Sequence, residues 1–190
     1  MKRKILTTTY SLLWLTLPTL IACSTLLAAY HSLLYSRKVH HGNERIAIVP
    51  PSNKPPISQD SIDLALIMFD IEVPENARHP LYDNNLVDRG VTTQSGWLNP
   101  LQVRIGREAF ESWGILGSTL AHELEIHCQQ SFTWINILDV FGLDGTHKAE
   151  RQAYSYEISN AKRFGLTKKD VKNIKITMDY FYPTVEPISQ

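Results

Sequence analysis

The chain has no surplus charge of either sign: nineteen Lys and Arg balance nineteen Asp and Glu over 190 residues, for a formal net charge of zero. Without a basic excess there is no electrostatic footprint for a nucleic-acid partner, and none is expected. Cysteine is scarce: Cys23 and Cys128 are too few to staple a small secreted fold. Internal repeats and low-complexity tracts are missing too, which excludes solenoids. Charge is also absent locally. Between Ile5 and Ser36 there is no Asp, Glu, Lys or Arg, and His31 is the one basic side chain. The composition as a whole, 43% apolar and 20% charged, is that of an ordinary folded domain.

The uncharged stretch has the length of a membrane segment. Crossing a bilayer takes ~20 mostly apolar residues, and Tyr10 to Tyr30 supplies them. Read as a signal anchor, residues 1–36 keep Lys2, Arg3 and Lys4 inside and place the rest on the periplasmic or exterior face. Read as a lipoprotein signal, Leu20-Ile21-Ala22-Cys23 resembles a lipobox, although Ser24 to Leu34 stays apolar where a polar tether is usual. A buried core helix is the third reading. Residues 37–59 contain Pro50, Pro51, Pro55 and Pro56, favour extended geometry, and read as a linker.

Residues 60–190 are expected to hold the folded domain. Ser61 to Ile71 is apolar and fits a helix or a strand. Pro74 to Gly96, rich in Asn, Asp, Pro and Gly, reads as loop. Leu101 to Ile105 alternates apolar and polar, a half-buried strand ending at Gly106. Helices are expected from Ser112 to about Phe132, from Thr146 to Phe164 with Gly165 as the stop, and from Thr167, where Asp170 completes a capping box. The predicted class is α+β, mainly helical, with a short sheet.

The chemistry lies in Leu120-Ala121-His122-Glu123-Leu124-Glu125-Ile126-His127-Cys128-Gln129-Gln130. Over residues 101 to 166 this resembles the zincin metallopeptidases, including small zincins found among bacterial toxins and effectors. Their His-Glu-x-x-His helix places two imidazoles on one face, and the Glu acts as general base. Here the second His comes one residue late, and Ile126 holds the expected position. At ~100° per residue, His122 and His127 would diverge by ~140° on a regular helix. A π-type turn between them would restore a common face.

The resemblance implies a third ligand from a later helix. Ala149-Glu150-Arg151-Gln152-Ala153 resembles the Glu-x-x-Ala segment of the Glu-zincin branch, so Glu150 is the expected ligand, with Glu157 or His147 as alternatives. Glu150, Tyr154 and Glu157 share one helical face, and Tyr154 or Tyr156 can donate to an oxyanion. The implied cofactor is zinc, held by His122, His127 and Glu150, with Glu123 as the base and Tyr154 as a second catalytic group. The implied activity is a membrane-anchored metallopeptidase acting on a peptide or cell-envelope substrate. A related option is hydrolysis of non-peptide amides.

Plainer readings stand beside these. Glu123 and His127, four residues apart, fit a buried hydrogen-bonded pair without metal. Glu150 and Glu157 fit a solvated helix face, and Cys128 a small core residue. A zincin-like fold serving as an inactive binding or immunity-type domain is the competing function.

Overall fold

The alternating Leu101 to Ile105 segment becomes the middle strand of a three-stranded sheet. The computed structural model describes Ser52 and residues 54–96 and 99–184. In it β1 (Leu81–Tyr82), β2 (Gly90–Thr93) and β3 (Gln102–Ile105) lie in the order β1-β3-β2. β1 runs parallel to β3, with Leu81 beside Arg104. β2 runs antiparallel, pairing Gly90 with Ile105 and Thr93 with Gln102. Val103 and Ile105 are fully buried while Gln102 and Arg104 are half-buried, as a strand with one core face requires. β1 and β2 correct the reading of residues 74–96 as loop. Both are short, and short strands take their stability from a partner, here β3.

Among the described residues six α-helices accompany the sheet: α1 (Gln59–Met68), α2 (Trp113–Ala121), α3 (Phe132–Val140), α4 (Gly145–Ser159), α5 (Ala161–Phe164) and α6 (Lys168–Phe181). The fold is therefore α+β and mostly helical. α1 resolves the ambiguity at residues 61–71 in favour of helix, and Ser58 caps it by accepting from the Ser61 amide. A 3₁₀ turn over Arg107–Glu111 leads from β3 into α2. Ser112 caps α2, its Oγ accepting from Ile115 N at 3.1 Å. α2 is buried on nearly every side, from Trp113 through Ala121, so it is the central helix. Ile62 and Ala65 of α1, Val103 and Ile105 of β3, Leu116 and Leu120 of α2, Leu124 and Phe164 form one apolar core around it.

The expected capping box at Thr167 forms, each partner bonding the other's backbone, and α6 starts there. Gly165 ends α5 with φ of 65°, a left-handed conformation that glycine adopts without strain. α3 is a departure from the sequence reading, in which the helix from Ser112 ended near Phe132. The chain breaks at Gln130, where ψ is 150°, and Ser131 caps a new helix.

The described residues all fall within one compact unit. The expected membrane segment at residues 1–36, and residues 37–51 of the linker, lie outside the described residues. Among the described residues no helix is long and apolar enough to cross a membrane.

Candidate metal centre

α2 changes pitch at its end. His122–Ile126 is a π-helical segment, followed by a 3₁₀ turn over His127–Gln129. The His127 amide reaches back to His122 O, the five-residue hydrogen bond that defines the wider turn. The extra residue is absorbed, and both imidazoles face one point. His122 Nε2 and His127 Nε2 lie 3.0 Å apart.

α4 brings the carboxylates. Glu150 places one oxygen 3.3 Å from His127 Nε2 and the other 3.6 Å from His122 Nε2. One ligand atom from each of the three residues lies within 4.8 Å of the others. Tetrahedral ligands about 2.1 Å from a metal are separated by about 3.4 Å, so the spacing suits a single ion.

The outer imidazole nitrogens are committed elsewhere. His122 Nδ1 donates to Glu157 Oε1 at 2.8 Å, and Arg89 donates to the same carboxylate at 3.2 and 3.4 Å. His127 Nδ1 faces Gln130 Oε1 at 2.7 Å. The Gln130 amide is oriented by its Nε2, which donates to Ala149 O and Gln152 Oε1, so His127 Nδ1 is the donor. A neutral imidazole with a proton on Nδ1 carries a lone pair on Nε2. Two such lone pairs, buried and 3.0 Å apart, repel unless a proton or a cation lies between them. The three residues form a group that can hold a metal ion.

Without metal, protons take that role. Burial opposes a charged His122, but the hydrogen bonds to Glu150 and Glu157 outweigh it and raise its pKa to about 10. Burial likewise opposes ionisation of Glu150, yet hydrogen bonds to His122 and His127 hold its pKa down at about 2. Glu157 is fully buried and also held below the carboxylate range; burial works against this, and the Arg89 charge prevails.

Glu123 sits differently. Its side chain is buried beneath β2 and accepts from Thr92 Oγ1 at 2.7 Å. Burial pushes its pKa up, against the pull of the two histidines and Thr92. Gly90 makes room for it: a Cβ there would lie 2.7 Å from Glu123 Oε1. His122, Glu123, His127, Glu150 and Tyr154 line one cleft of about 470 Å³. The Tyr154 ring meets His122 edge-on at 4.8 Å, and burial raises its pKa to about 12.

The candidate site residues singled out in the sequence all lie among the described residues. His122, His127 and Glu150 converge, with Glu123 and Tyr154 beside them. Glu157 is neither a solvated group nor placed to share the ion, since it bonds the far side of His122. His147 stands outside the group, its ring 5.6 Å from Tyr182. The Tyr156 hydroxyl bonds Glu125 and Arg163, which also bond each other. The Glu123 and His127 side chains form no hydrogen bond with each other: Glu123 accepts from Thr92 and His127 faces His122, Gln130 and Glu150. Cys128 is free and buried. Sequence reasoning missed Arg89, Gly90 and Thr92, and took Gln130 only as part of the motif, without a role. The β-branched Val91-Thr92-Thr93 run after Gly90 was the available signal for β2.

The chain matches no known family, no curated protein and no solved structure. The site's own chemistry carries the functional reading.

Proposed function

We propose that the protein is a membrane-anchored zinc-dependent hydrolase of the zincin type that cleaves peptide or amide bonds. One observation carries the reading: two imidazole lone pairs and the Glu150 carboxylate converge on a point beside the buried Glu123, in a cleft. Structural histidine pairs have no need of a third ligand or of a buried carboxylate next to them.

His122, His127 and Glu150 would hold the ion. When bound, zinc supplies Lewis acidity, lowering the pKa of a water toward 7 and polarising a carbonyl. Glu157 and Gln130 fix the two imidazole rings by accepting from their Nδ1 protons, which also keeps each Nε2 free as a donor of its lone pair. Glu123 acts as general base. Its raised pKa brings it nearer the range in which one carboxyl group can take a proton and return it to a leaving amine. Thr92 fixes the carboxylate's orientation. Tyr154 is a phenol, protonated at neutral pH in any case, and burial raises its pKa further, to about 12; it is available to donate to a developing oxyanion.

Elemental analysis of the purified full-length chain tests the reading. The expected result is one zinc per chain, lost in His122→Ala. A folded chain that takes up no zinc after supplementation overturns it.

A further inference from the structure

Helix α3 has no side chain in the core, and its exposed residues include large apolar ones beside Thr133, Asn136 and Asp139. Trp134, Val140 and Phe141 are 59%, 83% and 73% exposed, and Ile137 and Leu143 are exposed beside them. At ~100° per residue, Trp134, Ile137, Val140 and Phe141 fall within a ~120° arc. Ile135 and Leu138 are half-buried, with the Ile135 carbonyl and Leu138 Cβ against Gly145 of α4. Single exposed apolar side chains are ordinary; five within ten residues, on one helix and the turn after it, form a patch. The one carboxylate on the helix, Asp139, is turned to its own chain: it accepts from the Thr146 amide and hydroxyl.

We infer that α3 and the turn through Leu143 form an interfacial helix that lies in the surface of the bilayer to which the same chain is anchored. The inference rests on the proposed membrane attachment through residues 10–30. Two observations choose lipid as the occupant. Even fully extended, residues 37–58 span at most about 75 Å, so an anchored domain is confined to the neighbourhood of the bilayer, where the local concentration of lipid surface is high. The patch also combines a tryptophan, suited to the headgroup level, with aliphatic and phenyl groups suited to the acyl boundary. Phe132, the first residue of α3, lines the same cleft as His122 and Glu150. Docking of α3 therefore sets the cleft beside the headgroups and favours substrates held at the membrane surface.

The test uses the full chain reconstituted in phosphatidylethanolamine–phosphatidylglycerol vesicles. Trp134 emission is taken as the difference between the wild type and Trp134→Phe. Lipids brominated near the top of the acyl chain are expected to quench it about two-fold or more, while aqueous acrylamide loses access. Val140→Glu with Phe141→Glu, two exposed positions that leave the core untouched, should abolish the lipid quenching without releasing the chain from the vesicles. Quenching that persists in this double variant overturns the assignment of this face. If acrylamide reaches Trp134 freely in anchored wild type, the docking is overturned and the anchor stands. Access by neither quencher means that protein covers the patch, a second copy or a partner, which also overturns it. A chain stripped from the vesicles by alkaline carbonate removes both the anchor and this inference.

Discussion

At Glu123 two neighbours on one strand decide what the carboxylate can do. Thr92 holds one oxygen, and the missing side chain of Gly90 leaves space for the other. Glu123→Gln keeps the shape but cannot accept a proton, so zinc content should be unchanged while hydrolysis falls at least about 100-fold. Turnover near that of the wild type would remove Glu123 from the base role. Gly90→Ala acts through space instead. Its methyl group would press on Glu123 Oε1 and on Thr119 Cγ2, and overpacking of this kind costs ~1–3 kcal/mol. We expect a lower denaturation midpoint and reduced hydrolysis with zinc retained, since the three ligands lie on other elements. Unchanged stability and activity would show that Glu123 does not need its observed position.

Among the elements, α4 does two jobs with residues seven apart. Glu150 faces both Nε2 atoms, while Glu157 faces the back of His122 and is anchored by Arg89 from the lead-in to β2. Two turns separate them, so one rigid helix sets a ligand and the orientation of another ligand together. Glu157→Gln keeps the size of the side chain but removes the charge that Arg89 neutralises. Zinc affinity, read by competition with a chelator, is expected to fall about 10-fold to 100-fold, whereas Glu150→Gln should lose the ion altogether. Equal effects of the two substitutions would contradict this division of roles. The π segment matters at the same scale: its wider turn lets a spacing of five serve where four is usual.

For the molecule as a whole, the expected topology brings the cleft to the non-cytoplasmic side. In the proposed topology Lys2, Arg3 and Lys4 keep the start of the chain inside, so protease added to intact spheroplasts should digest the domain. Protection until lysis would reverse the orientation and send the search for substrate to the cytoplasm. Cys23→Ala separates the two modes of attachment, since a lipoprotein would lose its processing and a signal anchor would be indifferent.

What was legible in the sequence is what is local. A capping box marked Thr167, the period of two marked β3, and the stop at Gly165 closed α5, because each depends on residues within one turn or strand. His122, His127 and Glu150 were legible as residue types at a spacing, together with the angular reason for a π turn. Other features were decided only by tertiary structure. β1 and β2 exist because β3 lies between them, and α3 separates from α2 where the chain turns at Gln130. Glu157 reads as a surface acid on a polar helix until folding buries it between Arg89 and His122. Arg89, Gly90 and Thr92 carry no motif, and their roles arise because β2 crosses over the π segment. A hydrogen bond between residues 31 or 68 positions apart leaves no periodic trace along the chain, so only the packed fold brings those partners together.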